Sequence, residues 1–398
     1  MPRFEPFAGV RYATNGAKLD DLVSPPYDVI DDERRDLLAR RHAHNAVHVD
    51  LPRGDATRSP YQVACATFQQ WLRDGVVVPD PAPVFYTYRM ETIDDAGRPL
   101  HTLGVIGALE LSRPDEGQVL PHEHTTPKAK SDRLEMLRSC RANLSAIWGL
   151  SPAHGLTSLL GEYDTLGTWH GSDGTRHELG SIADPTRIDA IHDLVATAPL
   201  VIADGHHRYE TSVLYRDEQR AKAGNGSAGA AELAMTFVVE LVEDELTVLP
   251  IHRLIAGLPP GFDLEEALTP FFEVCDAGSV DATIADRMTA AGALCLVLPD
   301  RARLLVPRPA AMTGVRDLDS SRLEVALAAL PPHQLTFQHG VGNVLARVER
   351  GEATAGVLLR PVRVAQIAEI AEGGERMPPK STYFHPKPST GAVFRLLD

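Results

Sequence analysis

Hydrophobic and polar positions alternate along this chain with two different periods, and the period decides what each stretch can form. Residues 31–41 space their few apolar positions for a helix, with Asp31-Asp32-Glu33 suited to a first turn. Tyr61 to Arg73 is a second predicted helix, closed by Asp74-Gly75. Val84 to Glu91 and Leu103 to Leu111 flank Asp94-Asp95-Ala96-Gly97, the pattern of an antiparallel pair. Phe4 to Tyr12 reads as a strand entering a sheet, and His44 to Leu51 alternates like a half-buried strand. A helix from Leu134 to about Ala142 and another from Arg187 to Ala198 follow. The second leads into Leu200-Val201-Ile202-Ala203, a run too short for a helix and β-branched at its middle. Behind it, Tyr209 to Glu218 has helical spacing, with no Gly or Pro until Gly224. A strand, a turn at Asp204-Gly205 and a helix are therefore predicted in that order.

Leu233 to Val242 is apolar enough for a buried strand, and the break at Glu243-Asp244-Glu245 predicts a hairpin with Leu246 to Arg253. From Pro259 onward Gly, Pro and Ala rise, which places a boundary there: an α/β domain over 1–258 and an α+β module over 259–398. In the second part, Leu264 to Phe272, Val280 to Ala291, Leu323 to Leu330 and Val362 to Glu372 carry helical signals. Ala293 to Leu298, Ala302 to Val306 and Gly356 to Arg360 read as strands, and Phe337 to Gly342 as a turn. The class is α/β, mixed α+β, with an additional mixed-sheet C-terminal module. The segment Met377 to Pro388 holds four prolines and forms neither a helix nor a central strand. Its aromatic pair Tyr383-Phe384 and the final Val393-Phe394-Arg395-Leu396 indicate that it is packed and lines a site.

Composition narrows the function. At 398 residues and 43% hydrophobic content, the chain can bury a sizeable core in two domains. A formal net charge of −15 argues against nonspecific nucleic-acid or anionic-membrane partners. Cys65, Cys140, Cys275 and Cys295 show no CxxC pairing, and Cys65 and Cys295 read as reduced core residues. No signal-peptide core and no apolar stretch of membrane-spanning length is seen, so a cytoplasmic location is expected.

Against this acidic background, basic residues cluster. The turn Asp204-Gly205-His206-His207-Arg208 would present unpaired helical N–H groups and a positive dipole end to an anion. Gly205 lets a ligand approach, and His206, His207 and Arg208 add donors. Phosphate suits this chemistry, and Asp204 would take a hydroxyl or Mg²⁺. The same pattern also serves as plain structure, and adjacent histidines bind metals. His122-Glu123-His124 offers two ligands on one face if extended, though without a third at fixed spacing. Lys128, Lys130 and Arg133 concentrate positive charge that would neutralise a phosphoryl group, or else solvate a helix start. Pro25-Pro26 forbid a helix and aim Tyr27 and Asp28 at their surroundings. Lys380, Ser381, Thr382 and Lys387 are phosphate-compatible donors in the proline-rich segment.

Four stretches in this order resemble the domain of unknown function 1015 family of bacterial and archaeal proteins. They are Ser24-Pro25-Pro26-Tyr27-Asp28, the block from His122 to Asn143-Leu144-Ser145, Ala203 to Thr211, and Met377 to Lys387. The core from Asp204 to Arg208 is also similar to the phosphate-binding box of the ParB/sulfiredoxin-like superfamily, whose Gly-[His/Glu]-[His/Arg]-Arg turn grips nucleotide phosphates. One branch of that superfamily phosphorylates free serine with ADP or ATP. The chain departs from the DNA-partitioning branch, having no basic helix-turn-helix after the box, and from the reductases, having no cysteine in it.

The resemblance implies a ParB/sulfiredoxin-like nucleotide-binding core and a nucleotide-dependent kinase acting on a small hydroxy acid or amino acid such as L-serine. Gly205, His206, His207 and Arg208 would hold phosphates, and Lys128, Lys130, Arg133, Lys380, Ser381, Thr382 and Lys387 would support them. ATP or ADP would be the donor, with Mg²⁺ held through the phosphates. The proton acceptor would be Glu123, Asp28 or Asp204, with His206 as an alternative that positions the hydroxyl. Tyr27 and Asn143 would contact substrate. Two alternatives stand: a metal-dependent hydrolase using His122, His124, His206 and His207, and a nucleotide-sensing protein without turnover.

Overall fold

The computed structural model describes all residues except 1, 14–15, 94–97, 122–126, 225, 374, 376 and 379. The fold is mixed α/β and divides into two compact units, Met1–Thr247 with Phe384–Asp398, and Val248–Tyr383.

The first unit is built on a nine-stranded mixed sheet. Its middle is Leu233–Glu240, which runs antiparallel to Pro99–Glu110 on one side and parallel to Ile147–Ser151 on the other. With both edges of Leu233–Glu240 paired, the hairpin expected after it does not form. Glu243–Glu245 make a 3-10 turn instead. Leu200–Asp204 lies beyond Ile147–Ser151, between it and Val119–Pro121. Phe85–Ile93 pairs antiparallel with Pro99–Glu110, as the alternation predicts; the turn at 94–97 lies outside the described residues. Arg176–Ile182 and Asp164–His170 complete the far edge.

Close packing on this sheet needs small residues, and Gly107 is the one beneath an aromatic pair. Phe4 and Phe85 stack with ring centroids 5.1 Å apart, and a Cβ on Gly107 would come within 2.5 Å of Phe4 and 2.6 Å of Phe85. The glycine is therefore required by space rather than by backbone conformation.

Helices correct the sequence reading in several places; the one read over Leu264 to Phe272 ends at Leu268, and Phe272 opens a strand. His44 to Leu51 is not a strand: Val47–Asp50 is a short helix. Asn45 causes this, donating to the carbonyls of Asp21 and Val23 and accepting from the Val47 N–H, so its side chain holds the backbone in a turn. The helix expected from Leu134 begins at Pro127 and runs to Cys140; proline is tolerated in a first turn because no N–H is needed there.

The chain's last residues complete the first unit. Arg395–Leu396 pairs with Ala142–Asn143, Phe394 bridges Val10, and Thr390 bridges Ser24. Phe394 is fully buried among Val10, Phe68, Trp71 and Leu144.

In the second unit six antiparallel strands run in the order Phe272–Asp276, Ala302–Pro307, Leu294–Val297, Ala355–Leu358, His252–Ala256 and Gln334–Gln338. Successive residues enter opposite cores: Ile255, Leu296 and Val357 join one, Leu254, Cys295 and Leu358 the other. Both faces are thus covered, which explains continuous apolar runs in place of alternation. Among the described residues no helix is long and apolar enough to cross a membrane.

Gly107→Ala should overpack the Phe4–Phe85 contact and destabilise the protein by about 1–3 kcal/mol, read as a lower urea midpoint at unchanged slope. An unchanged midpoint would show that the aromatic pair has room to move.

Candidate functional site: an ion-paired turn beside a small cavity

The site begins where the buried strand Leu200–Asp204 ends. Gly205 follows with φ +89, in the left-handed region that favours glycine, and the helix His206–Lys222 starts directly behind it. The helix begins three residues before Tyr209, so the two histidines and Arg208 form its first turn. The Tyr209 N–H closes that turn onto the Gly205 carbonyl at 2.9 Å.

Arg208 folds back over its own turn. It donates to Asp204 Oδ2 at 2.7 Å and to the carbonyl of Ala146. A Cβ on residue 205 would stand 3.0 Å from Arg208 Nε, so glycine is needed twice, for its φ and for this approach. Arg208 Nε is buried and has no hydrogen-bond partner among the described residues. Buried donors of this kind are uncommon and usually mark a place for an acceptor.

The other oxygen of Asp204 is held by Lys387 at 2.8 Å, and the same ammonium reaches Asp28 Oδ2 at 2.6 Å. Asp28 lies in the 3-10 turn Tyr27–Val29 after the Pro25-Pro26 pair. Lys387 is aimed from behind by its own segment. The Ser389 N–H donates to Tyr88 Oη at 2.8 Å, Trp169 Nε1 donates to Ser389 Oγ at 3.1 Å, and Tyr88 Oη lies 3.1 Å from His177 Nδ1.

A second ion pair sits alongside. Arg133, buried, donates to the Asp50 carbonyl at 3.1 Å, to Asp50 Oδ1 at 3.2 Å and to Asp132 Oδ2 at 2.8 Å. Its guanidinium carbon stands 4.0 Å from the centre of the Tyr27 ring, a cation–π contact. Asp50, 2% exposed, also accepts from Thr390 Oγ1 at 3.2 Å. Asp50, Arg133 and Arg208 line a cavity of about 40 Å³ with Asn143, Ser145, Thr211 and Ser212.

The electrostatics separate the two carboxylates. Burial alone would raise the Asp204 pKa, but Lys387 and Arg208 outweigh it and hold the carboxyl well below the usual carboxylate range. Lys387 is correspondingly raised: burial opposes its charge, and Asp204 and Asp28 more than compensate. Asp50 moves the other way, since its burial exceeds the opposing pull of Arg133, Arg208 and Thr390. His177 is pushed down to about 4 by burial, with Asp173 acting against the shift.

Of the residues singled out in the sequence, Tyr27, Asp28, Arg133, Asp204, Gly205, His206, Arg208 and Lys387 fall in the first unit, and all but His206 are joined by the contacts above. His206 is buried at the first helical position, and His207 follows it. Asn143 lines the cavity, but its Oδ1 is occupied by the Met235 N–H at 2.9 Å. Lys380, Ser381 and Thr382 belong to the second unit, where Ser381 Oγ is spent on Ser320 at 3.0 Å and on the Pro378 carbonyl at 2.7 Å. Lys128 and Lys130 lie in the helix Pro127–Cys140, but their side chains are outside the described part. His122, Glu123 and His124 lie outside the described residues altogether. Among the described residues no group of three or more His, Cys, Asp or Glu is arranged to hold a metal ion. Sequence reasoning missed Asp50, Asp132 and Thr390. Asp50 sat in a run read as a strand, and nothing local connected Thr390 with it.

Fold and site together define a mixed α/β protein with an ion-paired strand-turn-helix centre. The chain belongs to the family described as "Protein of unknown function (DUF1015)", whose model matches residues 4–321. Among curated proteins no match is found. Solved structures that resemble it include a conserved hypothetical protein from Pyrococcus furiosus, with a TM-score of 0.38 and 14% identity over 73% of this chain and 93% of that one. A free serine kinase in complex with AMP has a TM-score of 0.39 and 13% identity, covering 71% of this chain and 86% of its own. SbnI with a C-terminal truncation, from Staphylococcus aureus, has a TM-score of 0.39 and 12% identity, covering 72% and 85%.

Lys387→Met should cost about 1–3 kcal/mol of stability at neutral pH, because half-buried Asp204, which keeps Arg208, and the more exposed Asp28 each lose a charged hydrogen bond. Asp204, whose folded pKa is depressed, contributes stability that is present above the ordinary carboxylate pKa of about 3.9 and is lost as pH falls through the folded value. The gap between wild type and variant in urea unfolding should therefore narrow in strong acid. A gap that is constant from neutral pH into strong acid would mean that the bridge is not the source.

Proposed function

We propose that this protein is a nucleotide-dependent phosphotransferase that phosphorylates the hydroxyl of a small metabolite, with L-serine as one candidate acceptor. The carrying observation is the Gly205 turn, where a buried, unfilled Arg208 Nε and a helix N-terminus converge beside Lys387. In this reading the turn is a ParB/sulfiredoxin-like phosphate box. Its backbone N–H groups, Arg208 and Lys387 bind the nucleotide phosphates, with His206 and His207 as further donors. Within the first unit, the proline-rich tail supplies Lys387 to the turn.

Two cations here face two carboxylates, Asp28 and Asp204, so the turn offers a bare polyanion little net attraction. Mg²⁺ fits this donor set. It keeps several waters and binds through one or two carboxylates plus substrate phosphates, and Asp28 and Asp204 are the carboxylates within reach of Lys387. When bound, it supplies charge neutralisation on the transferred phosphoryl group. Asp28 and Asp204 would then hold the metal while Lys387 turns to the phosphates. ATP or ADP is the donor in this reading.

The test combines binding and turnover. ATP, ADP and CTP are offered with L-serine or glycerate, with Mg²⁺ or with EDTA, and followed by phosphorus NMR and thermal unfolding. A phosphomonoester product is expected, and nucleotide should raise the melting temperature more with Mg²⁺ than with EDTA. Arg208→Ala should weaken nucleotide affinity by about tenfold or more, the scale of a lost charged hydrogen bond. Unchanged affinity in that variant would remove the phosphate assignment. Stabilisation by nucleotide with no product for any acceptor would point to a sensor.

A further inference from the structure

We propose that Asp50 is the catalytic base of this phosphotransferase, accepting the proton of the acceptor hydroxyl inside the small cavity. The assignment rests on the phosphotransferase reading and adds to it the place where the acceptor reacts. Among the residues lining the cavity Asp50 is the one carboxylate, and it shares the lining with the cations Arg133 and Arg208 and with apolar side chains such as Met136, Leu144 and Met235.

Volume decides what enters. About 40 Å³ corresponds to roughly three waters at about 10–15 Å³ each. A hydroxymethyl group fits that space, so the reacting end of the acceptor can enter while the nucleotide phosphates are held at the turn. Arg208 belongs to both places, lining the cavity and closing the Gly205 turn onto Asp204. A phosphoryl group bound to Arg208 therefore lies next to the cavity that Asp50 also lines.

The competing carboxylates are worse placed. Asp204 has each oxygen engaged by a cation, at 2.7 and 2.8 Å, and Asp28 binds the same ammonium at 2.6 Å. Asp50 is held more loosely, at 3.2 Å by Arg133 and 3.2 Å by Thr390, and a carboxylate has lone pairs for a further donor. Burial favours its neutral form, while Arg133 and Arg208 favour the charged one, and Asp28 adds a weaker like charge. The balance suits a group that must be ionised before the reaction and take a proton during it.

In the step, a lone pair of the acceptor oxygen forms the new O–P bond at the terminal phosphorus of the nucleoside polyphosphate. The bond from that phosphorus to the bridging oxygen breaks, and its electrons remain on the departing nucleotide. The hydroxyl proton passes to Asp50 Oδ and is later lost to water. No oxidant or further reactant is required.

Wild type and Asp50→Asn are compared with ATP, Mg²⁺ and the same panel of L-serine and glycerate. Expected are a kcat lower by about 10²–10⁴-fold, nucleotide affinity within about twofold, and loss of the acid limb of the wild-type pH–rate profile. A kcat within tenfold of wild type, or an acid limb that persists, overturns the assignment while leaving the phosphotransferase reading intact. Wild-type protein that transfers phosphate to no acceptor overturns both. Should Asp50→Asn unfold because Arg133 loses its counter-charge, Asp50→Glu keeps the charge but displaces the carboxylate. Its kcat should fall at least tenfold with nucleotide affinity retained, and an unchanged kcat again refutes the role.

Discussion

The structure of the site depends on one ammonium group shared by two carboxylates. Lys387 comes from the last dozen residues of the chain, Asp28 from near its start and Asp204 from the middle, and all three meet within hydrogen-bond distance. The Lys387 side chain is the deep member, 7% exposed, and its charge is costly to bury unless paired, which Asp28 and Asp204 provide. The Tyr88, Trp169 and Ser389 contacts and the Ser24–Thr390 bridge exist on the same segment as Lys387, and they hold its backbone while the ammonium is in place.

Around that bridge the charges form a chain. Asp204 connects Lys387 to Arg208; Arg208 and Asp50 look into the same cavity; Asp50 connects to Arg133, which lies over Tyr27 beside Asp28. Cations and carboxylates alternate along it, so each is stabilised by its neighbours and no charge is buried alone.

The carboxylates in this chain do different work because their surroundings differ. Asp204, gripped on both oxygens by cations, is held ionised and is a poor proton acceptor. Asp50, deeper and more loosely held, is raised by its burial. Two chemically identical side chains become an anchor and a candidate base through the number and distance of cations beside them.

The sequence by itself determined the local features whose causes are local. Period and turn chemistry marked the strand into Asp204, the glycine turn and the helix after it, as well as the helix Pro60–Arg73 and the pairing of Phe85–Ile93 with Pro99–Glu110. Residue chemistry also singled out Arg133, Arg208 and Lys387 as phosphate donors and Asp28 and Asp204 as base or metal candidates. Only the tertiary structure decided what those groups face. The helix at Val47–Asp50 was hidden because the Asn45 side chain, bonded to the Asp21 and Val23 carbonyls, overrides the alternation of its neighbours. Asp50 meets Thr390 across most of the chain, and Lys387 meets Asp28 across nearly all of it. Such pairings leave no mark at any fixed spacing, because they are set by how the chain ends pack against the sheet rather than by any stretch of residues alone.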